Sequence, residues 1–142
     1  MAYVDTSVLA AYYCPEALSS LAQSEISSLQ TPVISRLVDL ELCSAVALKV
    51  RTGQLDLTSA NRVLSMFEVH KVAGAFHWAE IGAAEYSLAR QWVSRFSTPL
   101  RSLDALHLAA AFANGIPLLT ADSKLSQAAS LLGVTHRLIA QP

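Results

Sequence analysis

Apolar and polar positions alternate along this chain in two rhythms. Short apolar runs, "AYVD" at 2–5, "TPVIS" at 31–35, "IPLLTA" at 116–121 and "VTHRLI" at 134–139, read as buried strands. Between them apolar residues recur every three or four positions, the period of a helix with one buried face. "TSVLAAYY" predicts a first helix. Pro15 interrupts it, at a residue type tolerated in a first helical position, and "EALSSLAQSEISSL" is expected to turn Leu18, Leu21 and Ile26 inward. "RLVDLELCSAVALKVRTG" predicts a long helix stopped near Gly53. "TSANRVLSMFEVH" has a start signal at Thr58. "KVAGAFHWA" predicts a short strand near Val72 and then a loop. "EIGAAEYSLARQWVSRF" predicts an amphipathic helix, "LDALHLAAAFANG" one stopped at Gly115, and "DSKLSQAASLLG" the last.

Strands alternate with helices, and no hairpin turn signal separates them. That order predicts an α/β fold, a single domain over 1–142 with a parallel sheet covered by helices on both faces. In such sheets ligands bind beyond the carboxyl ends of the strands.

Composition narrows the function. At 53% hydrophobic and 15% charged, the 142 residues suit a folded domain with a real core. The net charge of -1 gives no support to a general nucleic-acid coat protein, so any nucleic-acid contact must be local or made through a bound cation. Cys14 and Cys43 lack metal-ligand spacing and sit in apolar helical contexts, which predicts buried free thiols in a reducing compartment. "MAYVDTSV" has no basic region before its apolar residues and meets Asp5 early, unlike a signal peptide. No apolar run approaches membrane-spanning length. A cytoplasmic location is the expectation.

The acids are the candidate chemistry. Asp5 ends the first strand and precedes a helix. Asp122 follows the "LLT" strand and precedes another, and Asp104 lies just inside the start of the helix leading into that strand. Asp5 and Asp122 suit helix N-caps, and in a parallel sheet they share one edge. Capping does not explain Glu41, which lies inside the long helix among Leu37, Val38, Ser44 and Ala45. A charged carboxylate on such a face costs several kcal/mol in order of magnitude if unpaired. No Lys or Arg shares that face, so a cation shared with the other acids is the expected partner. Asp39 has Arg36 three residues earlier, and an exposed helical pair is expected to satisfy it. Oxygen ligands such as Asp5, Glu41, Asp104 and Asp122 suit Mg2+ or Mn2+, and sites of that kind perform phosphoryl chemistry.

At these residues the sequence resembles the PIN-domain family, and within it the VapC-type toxins of toxin–antitoxin pairs. The matching pieces are "YVDTSVL", "VISRLVDLEL" with Ser35 six residues before Glu41, and "LRSLDALHLAAAFANGIPLLTADSKL". The resemblance runs from end to end. It implies a three-layer α/β/α sandwich around a parallel sheet, and a metal-dependent endoribonuclease that cuts RNA with an activated water. It carries the acidic residues onto Asp5, Glu41, Asp104 and Asp122, and a polar residue before the last acid onto Thr120. It also implies a homodimer and an antitoxin partner. Many relatives have a further acid or an aromatic shortly after the last Asp, where this chain has "DSKL", which bears on a second metal position.

His107 lies three residues after Asp104 on the same helix face, and packing or capping near the site is its expected role. Thr6 and Ser7 either hold a water at the cation or simply favour a helix start. Arg36, Arg95 and Arg101 are candidate phosphate contacts, with Arg95 better read as a solvated loop charge. Trp78 and Trp92 suit core or interface positions better than base stacking. Tyr12 and Tyr13 with Leu9 are expected to form an exposed apolar surface that an antitoxin peptide could cover. Two alternatives remain from the residues: a PIN-type nuclease of RNA maturation or decay, and a non-catalytic scaffold that binds proteins.

Overall fold

The computed structural model describes residues 1–141; the last residue of the expected domain, Pro142, lies outside them. Five strands form one parallel sheet: β1 (Ala2–Val4), β2 (Pro32–Ile34), β3 (His77–Trp78), β4 (Leu118–Thr120) and β5 (His136–Leu138). Around it lie α1 (Thr6–Tyr13), α2 (Ser19–Ser28), α3 (Arg36–Arg51), α4 (Leu57–Val72), α5 (Ala83–Val93), α6 (Ser102–Ala113) and α7 (Ser123–Leu131). The whole is a PIN-like α/β/α arrangement.

The order across the sheet is β3-β2-β1-β4-β5, and every pairing is parallel. The chain builds outward from β1 through β2 to β3, then crosses to the other side for β4 and β5. The direction of building reverses between β1 and β4, and a crevice opens at the carboxyl ends of strands at such a point. β1 ends at Val4 and β4 at Thr120, so Asp5 and Asp122 flank that crevice.

The residues of β1, β2 and β4 are buried because helices cover the middle of the sheet: Tyr3, Val4, Ile34 and Leu118 have no exposed surface, while the edge strands β3 and β5 are partly exposed. α6 is buried from Ala105 through Ala111. Its alanines let it lie close to its neighbours, and Trp92 of α5 meets Phe112 edge-on with ring centroids 5.8 Å apart. Gly53 and Gly115 follow their helices with φ of 75° and 63°, the left-handed conformation that a helix stop requires.

Several sequence expectations are corrected. Val72 ends α4, and the third strand lies further on, at His77–Trp78. α4 starts earlier than Thr58, because Asp56 rather than Thr58 caps it, accepting from the Ser59 N–H. Pro15 is not in a first helical turn, since α2 begins only at Ser19. Ala22, not Leu21, is the fully buried residue of α2, and Leu21 is exposed. Cys14 is buried as expected but Cys43 is exposed, on the outer face of α3. Leu9 is buried, and Tyr12 and Tyr13 pack against the core, where Tyr13 stacks edge-on against Phe67. The first helix therefore offers no exposed apolar patch at these three residues.

Candidate functional site

The carboxyl ends of β1, β2 and β4 pass within one or two residues into helices, so those helix caps are also the rim of the crevice. Asp5 caps α1 through the Val8 N–H, and Asp122 caps α7 through the Lys124 and Leu125 N–H groups. Ser35, after β2, caps α3 through the Val38 N–H. An aspartate suits this place because its carboxylate accepts hydrogen bonds that the first turn cannot make internally.

Around these caps two sets of hydrogen bonds join the strand ends. Asp5 is buried and accepts from the Ser7 and Thr120 hydroxyls. The Ser7 oxygen accepts from the Ala121 N–H at 2.9 Å, and Thr120 Oγ1 accepts from the Asp122 N–H at 3.0 Å. Thr120 thus ties Asp5 to the backbone of Asp122. Thr6 donates to Glu41 Oε1 at 2.7 Å, and His107 Nε2 meets the same oxygen. On its other side His107 Nδ1 lies 2.8 Å from the Tyr3 hydroxyl, which lies 2.7 Å from Ser35 Oγ.

Asp104 and Asp122 line a cleft of about 330 Å3 with Arg101, Lys124, Pro99, Leu100 and Leu125. Its electrostatics are uneven. Burial and then the Asp122 charge push the Asp104 carboxyl above its ordinary range, with Glu41 adding to this and His107 and Arg101 opposing it. Burial also raises Asp5, against the hydrogen bonds of Ser7, Thr120 and Val8 and the charge of His107. At Glu41 burial pushes upward, but the bond and charge of His107 and the Thr6 hydroxyl outweigh it and hold the carboxyl below its usual value. Burial keeps Tyr3 a phenol by raising its pKa.

The structure brings Asp104, Asp122 and Arg101 to one cleft and links Asp5 and Thr120 to it through the Asp122 N–H, while Thr6 and Glu41 form a separate hydrogen-bonded pair whose charge acts on Asp104. It does not bring Arg36 there: its guanidinium stacks over Trp78, 4.0 Å from the ring centroid. Nor does Arg36 satisfy Asp39, which is held by Lys71 of α4 at 3.0 and 3.1 Å, a pairing across helices that fixes α3 to α4. Glu41 is not without a protein partner, as its own helix face suggested; the partners come from α1 and α6. Among the described residues no three His, Cys, Asp or Glu side chains stand close enough to form a ready-made metal cage.

Two participants escape a reading of the sequence alone: Lys124 lines the cleft, and Tyr3 joins Ser35 to His107. Ser7, a candidate from the sequence, bridges Asp5 to the end of β4. Tyr3 had one usable signal: a phenol in a strand buried on both faces must find a hydrogen-bond partner.

The PIN-domain family model matches residues 2–131. By fold the chain is similar to FitAcB from Neisseria gonorrhoeae, with a TM-score of 0.70 and 22% identity over 96% of each chain. It is similar to VapC20 from Mycobacterium tuberculosis, a sarcin-ricin loop cleaving toxin, with a TM-score of 0.71 and 20% identity over 90% of this chain and 95% of that one. It is also similar to VapBC2 from Rickettsia felis, bound in that structure to a DNA fragment from its promoter, with a TM-score of 0.65 and 17% identity over 97% of this chain and 98% of that one. At these identities the likeness is one of fold. No curated protein matches the chain by sequence.

Proposed function

This chain belongs to the PIN-domain family, and on that premise we propose that it is a metal-dependent endoribonuclease, the toxin of a VapBC-type toxin–antitoxin pair. The observation that carries the reading is the gathering of Asp5, Glu41, Asp104 and Asp122 around the sheet's switch point, two of them open on one cleft and all joined by hydrogen bonds or mutual fields. A scaffold that only bound proteins would have no use for carboxylates set against each other in a cleft. The four acids, with Thr120 holding Asp5, are the proposed catalytic set.

The donor set fits a hard cation. Among the described residues neither oxygen of Asp104 has a protein hydrogen bond, and Asp122 Oδ2 and Glu41 Oε2 also lack one. Mg2+ retains several waters and uses one or two carboxylates with substrate phosphates, so it does not require a preformed cage. Asp104 and Asp122, with Glu41 and Asp5, are the residues that would hold Mg2+ or Mn2+. Such a cation supplies charge against a phosphate and a more acidic water. The chain's own residues do the rest. Thr6 and His107 fix Glu41, Ser7 and Thr120 fix Asp5, and Arg101 and Lys124 flank the cleft as cations for the phosphates of an RNA strand. Thr6, bonded to Glu41, stands close enough to the acids to meet that strand as well.

The partners in this reading are RNA, a cognate antitoxin and a second copy of the chain. No helix among the described residues is long and apolar enough to cross a membrane. The test is an RNA cleavage assay with and without Mg2+ or Mn2+, beside expression of the chain alone and with the small protein encoded next to it. Metal-dependent cleavage, and slowed growth that the neighbour relieves, are expected. Cleavage without growth arrest would favour the maturation nuclease.

A further inference from the structure

The hydrogen-bonded chain Ser35–Tyr3–His107–Glu41 links the innermost core to an acid of the proposed site. Tyr3 and Ser35 have no exposed surface, and the His107 side chain is 3% exposed, whereas that of Glu41 is 24% exposed. Both ring nitrogens of His107 go to side chains on other elements, Tyr3 of β1 and Glu41 of α3. His136 shows the contrast, a histidine satisfied by the Val134 carbonyl and Ser130 close by in sequence.

For a neutral imidazole, donor and acceptor logic gives the chain one direction. An ionised carboxylate only accepts, so His107 Nε2 carries the hydrogen toward Glu41. In the neutral ring Nδ1 then accepts, the Tyr3 hydroxyl donates to it, and the Ser35 hydroxyl donates to Tyr3. By donating to Nδ1, the Tyr3 hydroxyl supports the tautomer and ring orientation that the carboxylate requires. Glu41 Oε1 is occupied twice, by Thr6 and His107, while Oε2 has no protein donor among the described residues. His107 also lies one turn beyond Asp104 on α6, so the helix that carries one acid also sets the orientation of another.

We propose that His107 and Tyr3 are positioning residues, which pin Oε1 of Glu41 and thereby present Oε2 to the divalent cation. This rests on the cation site proposed above. A buried histidine with a merely structural role would affect folding; a positioning role affects the affinity of the site for a cation in protein that is still folded. Groups that hydrogen-bond to a metal-holding side chain change metal affinity by about 10- to 100-fold.

The experiment titrates Mn2+ into the purified full chain by calorimetry, with a melting curve for each variant, and measures kcat and KM on RNA separately. His107→Phe keeps bulk but no donor, and an Mn2+ affinity at least about tenfold weaker is expected. His107→Gln, whose amide nitrogen takes the place of Nε2, should recover most of it. Tyr3→Phe should weaken it severalfold, and the loss on RNA should fall on kcat rather than KM. Folded His107→Phe that binds Mn2+ within twofold of wild type overturns the proposal. If that variant does not fold, wild-type affinity in Tyr3→Phe overturns it instead. The underlying site is judged separately: wild-type protein that binds no Mn2+, or Asp104→Asn that binds it as wild type does, removes the cation site and this proposal with it.

Discussion

Glu41 and Asp104 are carboxylates at the same sheet edge, and their surroundings treat them in opposite ways. Glu41 receives a hydroxyl and an imidazole on one oxygen, and its proton affinity falls. Asp104 receives no protein hydrogen bond among the described residues, faces Asp122 across a cleft, and its proton affinity rises. Asp5 resembles Glu41 in its bonds and Asp104 in its direction, because burial outweighs the bonds that Ser7, Thr120 and Val8 make to it. One part of the site is completed by the protein. The other is left with charge that something else must neutralise, and an unsatisfied charge is where a ligand gains most.

The largest expected effect is on cleavage. Asp104→Asn, Asp122→Asn, Asp5→Asn and Glu41→Gln each preserve shape and remove a charge, and each should lower kcat/KM by several kcal/mol in order of magnitude, about 1000-fold or more. A folded Asp104→Asn protein with wild-type activity would break the comparison at its open end.

Next in size is stabilisation by metal. A ligand that binds only the folded state at about 100 times its Kd adds about 2.7 kcal/mol. Adding Mn2+ should therefore raise the melting temperature by several degrees, and the rise should vanish in the Asp104→Asn, Asp122→Asn double variant. An equal rise in both proteins would move the metal elsewhere.

Smaller still are the metal-free stabilities. Glu41→Gln weakens two charge-assisted bonds and should cost about 1–2 kcal/mol in a urea melt. Asp104→Asn removes a repelled, partly solvated charge and should leave stability unchanged or raise it by less than about 1 kcal/mol. Destabilisation of similar size in both would mean that the two acids are not treated differently.

The finest distinction is in pH. The folded pKa of Asp104 lies above its unfolded value, so the folded state takes up the proton first and the cost of its charge is relieved as pH falls through the raised value. The folded pKa of Glu41 lies below its unfolded value, so its contribution is present above the unfolded pKa and lost as pH falls through the lowered one. In metal-free melts from pH 7 downward, the gap between wild type and Asp104→Asn should close first. The gap to Glu41→Gln should persist below the ordinary carboxylate range. The reverse order would contradict the assignment.

The acids were legible in the sequence, and most of their supports were not. Asp5, Asp104 and Asp122 announce themselves by standing next to a strand end or a helix start. Glu41 stands out in the sequence as a charge that its own helix face cannot satisfy, but its protein partners, Thr6 and His107, lie on other helices and are not legible there. His107 lies 66 residues away in sequence from Glu41, and Tyr3 lies 104 residues from His107. Arg36 shows the converse error. Spacing of three residues favoured a pair with Asp39, yet Lys71 and Trp78 offered each of them a better contact across elements.

The sequence by itself determined the alternation of strands and helices, and all seven helix positions and four of the five strand positions follow from the apolar periodicity. It also determined the caps at Asp5 and Asp122, since a cap depends only on residues within one turn. Only the tertiary structure decided the strand order that puts β1 beside β4, the late third strand, and the bonds that complete Glu41 and leave Asp104 bare. Periodicity and capping are short-range effects written in neighbouring residues. The balance of burial, like charge and hydrogen bonding at a carboxylate depends on groups that only packing brings within a few ångströms of it.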